Sequence, residues 1–252
     1  MLEHFLVSEI FAFLLIFCRL GSAFLLLPGF AETYVAPRIR LVLALMFSLA
    51  LTPVVSNLPP VPTSVFELLR LVMAEVLTGV FLGGLSRCLI AALHIASTVI
   101  SFQSSLASSL TQDITGFSGQ DTSIGNLLTM AALVLLFATD VHHLMLRGLA
   151  DSYTLFIPGQ FPMVEDFANH ATQILNGAFR TAMQLAAPNI VIGLIMNLGA
   201  GLVARLVPNI QVFFLMLAPQ LLMSFCILMV TFSAIMLWYL DYFKDTLGTF
   251  LQ

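Results

Sequence analysis

Charged residues in this chain fall in short clusters, and the stretches between them are almost wholly apolar. Residues 2–27 form the first apolar segment, punctuated by Glu3, Glu9 and Arg19, and Pro28-Gly29 ends it. Residues 30–40 are a polar connector with Glu32, Pro37, Arg38 and Arg40. Residues 41–58 are apolar and uncharged, about one bilayer span by the ~20-residue rule. Pro59, Pro60 and Pro62 then force extended backbone. Ser64-Val65-Phe66-Glu67 is a capping-box pattern that predicts a helix start. That helix carries Glu67, Arg70, Glu75, Gly79, Gly83 and Gly84 and continues past Arg87 into an apolar run ending at Ile100.

The pattern changes at residues 102–123, which read FQSSLASSLTQDITGFSGQDTS. Lipid cannot satisfy the backbone of such a polar segment, so it belongs in water, against protein or along a polar cavity. Asp121-Thr122-Ser123 offers an N-cap to the uncharged run 124–139, which ends at Asp140, His142 and His143. Residues 147–162 are mixed, with Pro158-Gly159 as a turn, and residues 163–180 read as an amphipathic helix bearing Glu165, Asp166, His170 and Arg180. Two uncharged runs follow, 181–204 and 210–240, joined at Arg205-Leu206-Val207-Pro208-Asn209. Together they read as a long αα-hairpin. As a helix, the last run would measure roughly 46 Å at 1.5 Å per residue, against ~30 Å of hydrocarbon. It must tilt, kink at Pro219 or reach beyond the bilayer.

Composition fixes the class. Of 252 residues 60% are hydrophobic and 9% charged, whereas soluble domains carry roughly 25% charged residues. The expected fold is an all-α, polytopic helical membrane protein. The net charge of −4 is small, and no basic patch points to nucleic acid. Cys18, Cys88 and Cys226 each stand alone in an apolar run and read as buried thiols, not as a disulfide or zinc framework. The first run lacks a clean small-x-small exit and reads as a retained segment. Six segments would put Arg38, Arg40, Arg87 and Arg205 on one side and Arg147, Arg180 and Lys244 on the other, a weak orientation signal.

Few residues offer chemistry. Arg19 and Glu75 lie inside apolar segments, where an Arg costs roughly 2.5–3.5 kcal/mol. They read as an ion pair, with each other or across a subunit boundary, or else as a proton relay. Glu67 and Arg70 read as a local pair. Gly79 and Gly83 form a GxxxG, and Gly193, Asn197 and Gly201 repeat at spacing four; both patterns imply close helix contact. Asn189 and Asn197 need hydrogen-bond partners. Asp140, His142 and His143 are the one histidine cluster, but successive helical side chains diverge, which suits a shared metal poorly. No phosphate loop, catalytic triad or ligand set stands out. Within residues 102–123, Ser104, Ser105, Ser108, Ser109 and Thr111 interleave with Leu106, Ala107, Leu110 and Ile114, and Gly116 and Gly119 flank Phe117-Ser118. This suits an ordinary external loop or a segment packed in a narrow wet cavity.

The chain also resembles a known family. Arg19-Leu20-Gly21, Pro28-Gly29-Phe30 and Pro37-Arg38-Ile39-Arg40 are similar to the opening of FliR, the flagellar type III export-gate protein. The run from Glu75 through Gly79 and Gly83 to Gly84 is similar to its third helix, and the segment from Asp140 through Arg147 to Tyr153 to the part following its polar loop. The most specific likeness is Pro188-Asn189, Asn197-Leu198-Gly199, Gly201 to Pro208 and Gln211-Val212-Phe213-Phe214. The resemblance implies a FliP-like helical part, residues 1–172, followed by a FliQ-like helical hairpin, residues 173–252. It implies assembly with FliP and FliQ, contacts to FlhB and FlhA, and passage of unfolded flagellar substrates through an inner-membrane gate within the basal body. It implies a non-enzymatic role without cofactor or metal. The family's plug loop falls on residues 106–120, so Leu106, Ser109, Leu110, Thr111, Gln112, Asp113, Ile114, Gly116 and Phe117 are the expected pore-closing residues. Ser104 to Ser109 departs from the Gly-rich, Met-containing sequence common there.

On this reading Gly79, Gly83, Gly193 and Gly201 pack against sister subunits, and Arg19, Glu75 and Arg205 fix helix or subunit register. Asn189, Asn197 and Pro208 complete the expected packing set. The rival reading is a self-sufficient secondary transporter with Glu75 as coupling carboxylate and the polar stretch as a re-entrant loop. No inverted internal repeat supports it. The related virulence injectisome subunit shares the expected architecture.

Overall fold

The computed structural model describes residues 2–55, 58–104, 123–160, 164–206 and 212–250, and there the chain is helical with no strand. Seven helices follow in order: α1 (Leu2–Phe24), α2 (Pro37–Leu51), α3 (Val65–Gln103), α4 (Ser123–Ala138), α5 (Val141–Leu155), α6 (Val164–Leu206) and α7 (Val212–Phe250). Four are long and apolar enough to cross a membrane, or five spans if α4 and α5 count as one broken span. The chain is a polytopic helical membrane protein.

Helix length is the main departure from the sequence reading. α3 and α7 have 39 residues each and α6 has 43, so each is roughly 58–65 Å long at 1.5 Å per residue, about twice the hydrocarbon thickness. α3 holds together because one stripe stays buried from end to end: Leu71, Glu75, Thr78, Leu82, Leu85, Leu89, Leu93, Ala96 and Ile100 recur every three or four residues. Arg87 lies mid-helix on the opposite side, half exposed, and reaches the Glu32 carboxylate at 3.5 Å. α6 joins the amphipathic segment and the first hairpin run without a break, passing through Pro188, and α7 passes through Pro219. The expected boundary between residues 172 and 173 falls inside α6. The turn expected at Pro208-Asn209 lies outside the described residues.

The chain forms two compact units. The first comprises residues 1–89, 139–175 and 244–252; the second comprises residues 90–138 and 176–243. In the first unit α1 buries Leu15, Ile16, Arg19, Leu20, Ala23 and Phe24, a stripe of helical period. Phe11, Leu15 and Leu71 form a cluster there, with Leu58, Leu68 and Val72 packed against it. Gly29, at φ 83°, allows the tight turn after α1. Arg40 then ties the connector, its Nε donating to the Phe30 carbonyl at 3.0 Å and its Nη2 to the Glu32 carbonyl at 3.2 Å. Pro37 begins α2, where its missing N–H costs nothing. In the second unit Ala178, Ala182, Leu185, Ala186 and Asn189 form the buried stripe of α6.

Two local expectations fail. Glu67 and Arg70 are both exposed and form no ion pair, because at the exposed start of α3 solvent competes for both charges. Cys226 is exposed on α7, and Cys18 and Cys88 are only half-buried. An apolar sequence run does not reveal which side of its helix is covered. Ser64 does accept a hydrogen bond from the Phe66 N–H at 3.3 Å, as a helix start requires.

Candidate functional site

The polar centre of the first unit is built on Arg19, 1% exposed, and Glu75, 1% exposed. Arg19 sits in the last two turns of α1 and Glu75 in the third turn of α3. The guanidinium meets the carboxylate fork to fork, with Nε donating to Oε2 at 2.6 Å and Nη2 to Oε1 at 3.2 Å. Nη1 donates to the Ser152 carbonyl at 3.2 Å and to Ser152 Oγ at 3.3 Å, and Nη2 also donates to the Phe156 carbonyl at 3.3 Å. All five N–H donors of the group therefore have acceptors.

The carboxylate takes a third hydrogen bond as well. Glu75 Oε1 also accepts the main-chain N–H of Gly159 at 2.8 Å. Gly159 has φ +79°, and a Cβ there would lie 2.5 Å from Leu71 Cδ2. Only glycine brings that amide to the carboxylate without strain. Tyr153 covers the pair, its ring centroid 4.1 Å from Arg19 Cζ, a cation–π geometry. Four pieces of chain meet here: α1, α3, the end of α5 and the turn after it. α5 presents Met145, Leu149, Ser152 and Tyr153 along one buried stripe, which is why Ser152 and Tyr153 face the same cation.

One helical turn beyond Glu75, the α1–α3 approach is set by glycines. A Cβ at Gly79 would fall on the Arg19 carbonyl oxygen and Ser22 Oγ, and one at Gly83 would lie 2.7 Å from the Ala23 carbonyl. Gly79 and Gly83 thus meet α1 of their own chain, not another subunit. Gly84 has open space beside it.

The second unit has a smaller polar junction. Asn189 Oδ1 accepts from Ser224 Oγ at 3.1 Å, and Gln220 Nε2 donates to the Gln103 carbonyl at 2.7 Å. Gly193 faces the Gln103 side chain. Asn197 and Arg205 are exposed, and Gly201 has nothing within 4 Å. The last turns of α6 expose Leu194, Ile195, Leu198, Leu202 and Leu206. Pro208 and residues 106–120, with every expected plug residue, lie outside the described residues.

The Arg19–Glu75 arrangement can hold helices in register: the carboxylate is 1% exposed and accepts three hydrogen bonds, from Arg19 Nε, Arg19 Nη2 and the Gly159 N–H. Sequence reasoning found the two charges and the glycines beside them. It missed Ser152, Tyr153 and Gly159; the signals available were the i, i+4 stripe of α5 and the Pro158-Gly159 turn.

Residues 10–246 match the family described as bacterial export proteins, family 1. The chain is 32% identical over 243 residues to the flagellar biosynthetic protein FliR of Caulobacter vibrioides, covering 96% of each chain. It is 30% identical over 242 residues to the Bacillus subtilis protein of the same name, covering 94% of this chain and 92% of the relative. The Yop proteins translocation protein T of Yersinia pestis is 26% identical over 250 residues, 93% of each chain. With one family profile and full-length relatives agreeing from the first helix to the last, this chain belongs to bacterial export proteins, family 1, the FliR family of flagellar biosynthesis.

Proposed function

We propose that this protein is a non-enzymatic subunit of the flagellar type III export gate in the bacterial inner membrane, within the basal body. It forms part of the passage for unfolded export substrates, assembled with FliP-like and FliQ-like subunits and contacting FlhB and FlhA. The observation that carries this reading is the full-length match to flagellar FliR proteins. Helices about twice the hydrocarbon thickness support it, because their apolar faces need protein as well as lipid to cover them. The bare apolar end of α6, with Gly201 and Asn197 on it, suits a neighbouring helix. Residues 106–120 are the proposed plug. The occupied Glu75 carboxylate favours a gate subunit over a proton-coupled transporter.

Native mass spectrometry of the chain co-expressed with FliP-like and FliQ-like proteins from the same genome tests this. A defined hetero-oligomer containing this chain is expected. A chain that purifies alone as a stable small oligomer and ignores those proteins would overturn it.

A further inference from the structure

The residue before α5 is Asp140, with φ 58° and ψ 15°, the one non-glycine residue at positive φ among the described residues. Such a backbone is uncommon outside glycine. It is not adopted to cap the helix, since the Asp140 side chain makes no capping hydrogen bond. The carboxylate instead lies 3.5 Å from His143 Nδ1, while the His143 main-chain N–H donates to the Asp140 carbonyl at 3.0 Å. His142 and His143 do not diverge as neighbours within a helix do. In the first turn of α5 their ring centroids are 4.1 Å apart, tilted by 38°.

One ligand atom from each of Asp140, His142 and His143 lies within 4.8 Å of the others. Tetrahedral zinc, with bonds of about 2.0–2.1 Å, needs its ligand atoms roughly 3.4 Å apart. The Asp140–His143 separation of 3.5 Å is already close to that, and all three ligand atoms lie within 4.8 Å of one another. Asp140 and His143 are exposed and His142 is half-buried, so an ion has an entry path.

We propose that Asp140, His142 and His143 bind one divalent transition-metal ion of the zinc class. Two imidazoles and a carboxylate are the donor set such ions take, and three protein ligands leave the fourth position to water or a neighbouring chain. The ion staples the left-handed residue to the first turn of α5, the helix that carries Ser152 and Tyr153 to Arg19.

The test is titration of the tag-free full chain in detergent micelles with Co2+, read by its visible absorption, followed by displacement with Zn2+. One equivalent of Co2+ is expected to bind and to be displaced. His142→Ala and His143→Ala should each weaken binding at least about tenfold, since even outer-sphere changes have that effect. Asp140→Gly separates ligation from folding: glycine keeps the left-handed backbone while the carboxylate is lost, so the metal-free protein should melt no lower while Co2+ affinity falls. No stoichiometric uptake at micromolar Co2+, or equal uptake by the His142→Ala/His143→Ala double variant, would overturn the proposal.

Discussion

Gly79 lies against the main-chain carbonyl of Arg19, the residue whose guanidinium Glu75 holds one turn earlier on α3. The glycine lets α1 and α3 approach, and the approach brings the charges within 2.6 Å. Gly79→Ala should therefore destabilise the protein by about 1–3 kcal/mol or more, because a backbone carbonyl cannot rotate out of the way. Gly84→Ala, on the same helix but beside open space, should melt at or above the wild-type temperature, since alanine favours the helix by about 0.8–1.0 kcal/mol. Thermal unfolding of the two variants in the same detergent checks both, and equal melting would sink the close-approach argument.

The ion pair should be expensive to break and cheap to remove. Glu75→Gln or Arg19→Met alone strands a buried charge, a loss of about 3–5 kcal/mol. The double variant should recover much of that, giving a large coupling energy in a double-mutant cycle. A proton relay would behave differently: Glu75→Gln would abolish export while leaving the melting temperature unchanged.

Tyr153 offers a sharper probe of the same centre. Its ring lies over Arg19, but its hydroxyl is buried with no hydrogen-bond partner among the described residues. Tyr153→Phe keeps the ring and removes an unsatisfied group, so stability should hold or rise. Tyr153→Ala loses the cation–π contact and leaves a cavity, costing about 3 kcal/mol or more. A Phe variant as unstable as the Ala variant would show that the hydroxyl, not the ring, matters.

The plug proposal makes a prediction about permeability. Deleting residues 110–116 should let small ions or dyes leak through membranes carrying the assembled complex, with assembly itself intact. Unchanged permeability in an intact complex would count against assigning these residues to closure.

Much of this was legible from the chain, and the reasons are local. The buried charges stood out because each lies among apolar neighbours, away from the charged ends of its segment, and Gly79 and Gly83 because their spacing matches the helical repeat. What could not be read depends on which side of a helix is covered. Cys226 looked as apolar as Cys18, yet it is exposed. The continuation of α3 past Arg87 was read from the apolar run beyond it, and the buried stripe that sustains it shows only in the structure. Ser152 and Gly159 reach the centre from 133 and 84 positions away in sequence, counted from Arg19 and Glu75. No short-range pattern encodes such distances. His142 and His143 bring their rings to 4.1 Å although they are neighbours in one helix, a proximity that the spacing rule alone does not predict.

The three longest helices each supply residues to both compact units: α3 on either side of Leu89, α6 on either side of Leu175 and α7 on either side of Phe243. Neither unit can be cut out as a fragment without severing all three rods. A chimera with a related export subunit would have its seams inside helices, where the junction must preserve the angular phase of every side chain downstream. Compactness here does not confer modularity, and the chain must be inherited, expressed and engineered whole.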